Sequence, residues 1–212
     1  MTRSIYRPPW RVDVDVRSEV LAAGRLPVAV AVLTRCVADA LDAVGAPSPA
    51  SIGLILSDDA ELAALNAEHM GKDGPTDVLS FPLLPPGVFA SEPAHPPDPA
   101  HRAADPRGPV AAASAWPRPP GSRLHLGDIV VSVERAADQA GAGRGGQTGD
   151  VRWSTADELR LLVTHGTLHI CGLDHAEPDE ETAMRALEQR LLGGAGTGDG
   201  GNGDGDGTVR RA

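Results

Sequence analysis

The sequence predicts an α+β fold: a small mixed β-sheet packed with helices, and a three-histidine metal motif on a central helix. Two observations carry this. Periodic stretches follow one another as strand, helix, strand, helix, two more strands, then helices, an order that suits helices layered on one sheet. Near the end stands His165-Gly166-Thr167-Leu168-His169-Ile170-Cys171-Gly172-Leu173-Asp174-His175, whose histidine spacing fits a helix and the turn after it.

Residues 11–16 alternate polar and apolar with the period of a half-buried strand. Residues 28–44 follow Pro27 and carry Val28, Val32, Cys36, Ala40 and Val44 at helical spacing, with Gly45 just past the end. The short apolar run 51–56, with β-branched Ile52 and Ile55, reads as a buried strand, and Ser57 or Asp58 can cap the helix through Leu62, Leu65 and Asn66. A turn at 74–77 leads into a strand at 78–81 that Pro82 should end, with Val78 and Ser80 facing one way and Asp77, Leu79 and Phe81 the other.

Residues 83–124 change character: Pro, Ala and small polar residues dominate and no period is visible, so this insertion is expected to be disordered and dispensable for folding. A strand resumes at 127–133, a helix begins near 134–139, and a Gly-rich loop covers 141–149. Thr155 to Glu158 has capping-box form and opens the helix on which Leu161, Leu162, His165 and His169 share a face. Pro178 should break the chain before a last amphipathic helix at 181–192 with Met184, Leu187, Leu191 and Leu192 on one side. Residues 1–192 thus read as a single domain, and the Gly- and Asp-rich tail 193–212 as disordered.

Composition sets limits on function. At 212 residues and 41% hydrophobic content, one domain with a packed core is the default, and 25 Gly with 19 Pro place much of the chain outside that core. Two cysteines, Cys36 and Cys171, argue against a disulfide scaffold and suit a reducing compartment. No leader-like segment and no membrane-length apolar run are evident, so a cytoplasmic protein with no membrane partner is expected. A formal net charge of −10 requires any nucleic-acid contact to come from a local basic patch.

The histidine spacing carries chemistry. Side chains four apart on a helix lie about 5–6 Å apart at Cβ, close enough to share one ion at Zn–N distances of about 2.0–2.1 Å. Gly172 accepts the left-handed conformation that reverses a chain after a helix, which can return His175 as a third ligand. Three imidazoles with an open fourth position describe a catalytic zinc site, and binding as neutral imidazole makes affinity fall with pH. The same spacing occurs in metzincin proteases, but their general base directly follows the first histidine, and here that residue is Gly166. Cys171 reads as a small buried residue, and His95 and His101 in the insertion as incidental.

At these residues the chain resembles a known family. Residues 165–175 are similar to the H-G-x-L-H-x-x-G-x-D-H signature of the YbeY family of bacterial endoribonucleases, also called ribosomal RNA maturation factors. Two further stretches agree: Pro75-Thr76-Asp77-Val78-Leu79-Ser80-Phe81-Pro82, and Leu126-Gly127-Asp128-Ile129-Val130. The resemblance spans about residues 11–192, interrupted by the insertion. It implies a zinc-dependent endoribonuclease, one zinc per chain on His165, His169 and His175, acting on ribosomal RNA of the small subunit at its 3′ end and not on DNA. It also places Asp77 and Asp128 near the metal as candidate bases. Asp174 is either an acceptor fixing an imidazole tautomer or a turn former.

One departure bears on catalysis. Where the family typically has Arg, in a stretch resembling L-N-x-x-Y-R, this chain has Leu65-Asn66-Ala67-Glu68-His69-Met70. A Met cannot neutralise phosphate charge, so Lys72 is the candidate substitute, while His69 reads as a helix-end surface residue. The reading from another class is a non-catalytic ribosome-associated assembly factor with a structural zinc, and a zinc peptidase stands third. The sequence leaves oligomeric state open.

Overall fold

The structure, a computed structural model, describes residues 2–24, 26–85, 88–89, 122–142, 153–174 and 177–194. Five strands form one sheet: β1 (Thr2–Arg7), β2 (Trp10–Val16), β3 (Ala50–Ser57), β4 (Val78–Pro82) and β5 (Leu124–Ser132), in the order β1-β2-β3-β5-β4. The β2–β3 and β3–β5 pairs are parallel, while β1–β2 and β5–β4 are antiparallel, which makes the sheet mixed as expected. Helices α1 (Ser18–Ala22), α2 (Val30–Ala43), α3 (Asp59–Leu65), α4 (Val133–Ala142), α5 (Thr155–Ile170) and α6 (Pro178–Gly194) complete the α+β arrangement.

Patterning explains the layers. In β2, Trp10, Val12, Val14 and Val16 are buried while Arg11, Asp13 and Asp15 between them are only partly covered, so one face meets the core. That face packs with Leu33, Val37 and Leu41 of α2 and with Leu159, Leu162 and Val163 of α5, which makes the histidine-bearing helix central. The central strand β3 is buried along nearly its whole length, as a parallel strand with neighbours on both edges should be. On the opposite face, Leu62 of α3 packs with Leu79 and Val130.

Several local expectations are corrected. Residues 2–7 form an edge strand and residues 18–22 a short helix, neither of which has enough apolar period to be read from sequence. Of the two proposed caps, Asp58 is the one that works, accepting the Glu61 N–H. The capping box on α5 belongs to Ser154 and Asp157 instead of Thr155 and Glu158. Glu158 is instead fully buried and accepts the Trp153 indole N–H at 2.6 Å. Pro178 begins α6, where its missing N–H costs nothing, and does not merely break the chain.

Both edges of the insertion belong to the folded domain. Phe89 is buried at 7% exposure within the main core, and Leu84 and Val88 pack against it. At its other end β5 begins at Leu124, earlier than the strand expected at 127. Residues 90–121, and the tail from 195, lie outside the described residues. Replacing 91–121 with a short Gly/Ser linker is therefore expected to leave the thermal midpoint little changed, since loop closure depends weakly on length. A deletion that also removes Phe89 should cost about 3–5 kcal/mol, as loss of a buried phenyl ring does. Thermal unfolding of the two deletions checks the pair, and equal loss in both would show that the middle of the insertion carries folding energy.

Candidate active site

Helix α5 builds the floor of the site. His165 and His169 project from one side of it with their Nε2 atoms 3.0 Å apart and their rings edge to face. Two imidazole nitrogens on one tetrahedral zinc would lie about 3.3 Å apart at ordinary Zn–N distances, so the pair needs little adjustment to share an ion. Glu188 on α6 reaches His165 from behind, its Oε1 2.7 Å from Nδ1. A carboxylate only accepts, so Nδ1 carries the proton and the Nε2 lone pair faces His169. The donor set fits a cation such as zinc.

The helix ends as the third-ligand argument requires. Gly172 has φ of 82°, its N–H meets the His169 carbonyl at 3.0 Å, and the Leu173 N–H meets the Leu168 carbonyl at 3.1 Å. These two bonds close a Schellman motif, with Leu173 packed in the same small cluster as Leu168. The backbone thus turns back after α5. His175 lies outside the described residues, and among the described residues no group of three or more potential ligands is assembled. Exposed Asp174 is the last described residue before it. Cys171 is buried at 2% exposure, and desolvation pushes its thiol up to about 12, which keeps it protonated and unlike a thiolate ligand.

Gly166 is explained by packing. A Cβ there would stand 2.8 Å from Ile129 Cγ2, 3.1 Å from Val78 Cγ2 and 3.2 Å from Ser80 Oγ. The helix lies directly on β4 and β5, and the Ser80 hydroxyl donates to the Gly166 carbonyl at 3.0 Å. No carboxylate side chain fits at this position, so the peptidase reading has neither a base nor space for one.

Above the histidines opens a cleft of about 430 Å³ walled by Met70, Thr76, Asp77, Val78, Leu79, Ser80 and Pro82. Of the candidate bases, Asp77 lines this cleft, but its carboxylate is engaged. Oδ1 accepts the Val78 N–H at 2.9 Å and the Thr76 hydroxyl at 3.2 Å, and Oδ2 accepts from the Gln139 side chain at 3.0 Å. These bonds tie the start of β4 to α4.

Asp128 is corrected. Its neighbours Gly127 and Ile129 meet Ile170 and the Gly166 position on α5, so alternation sends Asp128 to the far face. There it lies over Gly53, whose hypothetical Cβ would be 2.0 Å from Oδ1, and pairs with His125 Nε2 at 3.2 Å. Its carboxylate thus faces away from this cleft.

Met70 stands in the cleft wall, 47% exposed, on a π-helical turn at Asn66–Met70 that continues α3. Gly71, with φ of 63°, ends that turn, and Asn66 Nδ2 donates to the Gly74 carbonyl at 2.9 Å to brace the loop. His69 packs edge-on against Phe81, 5.1 Å between centroids. Lys72 is exposed on the braced loop and does not line the cleft. Sequence reading missed Glu188, whose signal is a carboxylate set among Met184, Leu187 and Leu191 on the inward side of α6.

Comparison with known proteins identifies the family. A model of the family described as Endoribonuclease YbeY matches residues 27–196. A protein of that name from Salinispora tropica is 44% identical over 154 residues, covering 72% of this chain and 79% of the relative. One from Clavibacter michiganensis is 36% identical over 166 residues, covering 77% and 84%. One from Mycobacterium tuberculosis is 40% identical over 145 residues, covering 68% and 63%. The family match spans the histidine motif, the cleft wall and Glu188 together, and the chain belongs to the YbeY endoribonuclease family.

Proposed function

We propose that the chain is a zinc-dependent, single-strand-specific endoribonuclease acting in late maturation of the 16S ribosomal RNA 3′ end. Its setting is ribosome biogenesis and quality control in the cytoplasm, with the small ribosomal subunit as the RNA-bearing partner. The observation that carries the metal reading is the convergence of His165 and His169 Nε2 at 3.0 Å on the floor of an open cleft. His175 is the third ligand in this reading, one zinc per chain. Zinc, when bound, supplies a Lewis acid for a phosphoryl oxygen and lowers the pKa of water towards about 7.

The chain's own residues hold and orient. Glu188 keeps a proton on His165 Nδ1 and so leaves a lone pair on Nε2 to bind a metal ion. Asp77 and Ser80 fix the β4 wall against α4 and α5, so the cleft keeps its shape around an extended strand. Asp174 is proposed to accept an imidazole N–H beyond the helix end. Zinc analysis of purified protein, paired with RNA cleavage in metal-replete and chelated samples, tests the whole reading. A zinc-loaded protein that leaves single-stranded RNA intact would overturn it in favour of a non-catalytic assembly factor. That second reading is favoured by one observation: among the described residues lining the cleft there is no Lys or Arg.

Lys72 is the proposed phosphate contact in place of the missing Arg. It is exposed on the loop that leads from Met70 to β4, near the cleft mouth in sequence but off its lining. Lys72→Ala is expected to weaken RNA binding and to flatten the salt dependence by one contact, a slope change of about 0.7 for a single strand. Affinity measured across a salt series decides it, and an unchanged slope removes Lys72 from the interface.

A further inference from the structure

We infer that Glu188 is a positioning residue for metal binding: it fixes the tautomer and ring orientation of His165 and holds α6 to the metal site. The inference rests on the reading of His165 and His169 as ligands. A neutral imidazole has one donor and one acceptor nitrogen, and either nitrogen can be the donor. Left to itself, His165 would place a proton on Nε2 in a share of molecules, and that share could not bind a cation through the nitrogen facing His169. The Glu188 carboxylate, 2.7 Å from Nδ1 and 12% exposed, removes the ambiguity with a short charge-assisted bond in a largely water-free position.

Glu188 is itself placed by the packing of its helix. On the turns around it, Met184, Leu187 and Leu191 pack in a cluster with Leu168 and Ala40. One α5 residue also grips the end of α6, Arg160 donating to the Leu192 carbonyl at 3.1 Å. The carboxylate therefore approaches His165 from a packed helix, and its negative charge adds to the attraction for a cation on the far side of the ring. Partners of this kind are typically worth 10–100-fold in metal affinity.

Two measurements on the full chain test this. Zinc affinity, by competition with a chelator, is expected to fall about 10-fold in Glu188→Gln and closer to 100-fold in Glu188→Ala. Glu181→Gln, which removes the same charge at an exposed position of the same helix, should match wild type. Long-range ¹H–¹⁵N spectra of the metal-free protein should show His165 with its proton on Nδ1 in wild type and a shifted tautomer balance in Glu188→Ala. A purely structural contact would lower thermal stability in the variants while leaving zinc affinity unchanged, and that result overturns the inference. Should wild type bind no zinc, the reading of the ligands falls, and the spectra still decide Glu188: a His165 protonated on Nε2 in wild type refutes its role.

Discussion

His169→Ala is expected to take bound zinc from about one ion per chain to near zero, and RNA cleavage with it by at least about 100-fold. The expectation follows from chelation. Nε2 of His169 lies 3.0 Å from Nε2 of His165, so removing it leaves one described imidazole and breaks the pair that defines the position of the ion. The fold should survive, because His169 is only partly buried and α5 is held by Leu159, Leu162, Val163 and Leu168. His95→Ala and His101→Ala serve as controls from the insertion, outside the described residues, and should keep their zinc. Zinc counted after gel filtration, alongside cleavage of a single-stranded RNA, makes the comparison. Equal retention in all three variants would mean that the histidine pair is not the metal site.

The parts of this site that are legible in the sequence are those governed by short-range rules. The i,i+4 spacing of His165 and His169 and the positive φ of Gly172 depend on one helix and its end, and both stand where periodicity puts them. Alternation likewise assigns Val78 and Ser80 to the α5 side and Leu79 and Phe81 to the other. What escapes depends on elements distant in sequence. Asp128 sits in a motif near the metal in sequence pattern, yet strand alternation around Ile129 turns it to the opposite face, and only the docking of α5 reveals which face that is. Glu188 is separated from His165 by a chain reversal, so no local rule pairs them. Edge strand β1 is missed for a different reason: with both of its faces largely exposed, its residues lack an apolar alternation to read.

Met70→Arg is expected to raise the single-turnover cleavage rate about tenfold or more. Met70 lines the same cleft as His165 and His169, and its exposure of 47% means a guanidinium could replace the thioether without losing much hydration. Its backbone is already fixed by the π-helical turn, by Gly71 behind it and by the Asn66 bond to Gly74, so an arginine would start from a defined place. Preorganised donors aimed at developing oxyanion charge contribute about 10²–10³ in rate where they are native, and an introduced one with unrefined aim should give less. Stability should change little, since Met70 is not part of the buried core. Saturating protein concentrations separate the chemical step from tighter binding, because extra affinity alone cannot raise a rate measured with all RNA bound. A variant that binds RNA more tightly yet cleaves no faster would show that this cleft neutralises phosphate charge without a guanidinium at this position, and would leave the metal and Lys72 as the cations to examine.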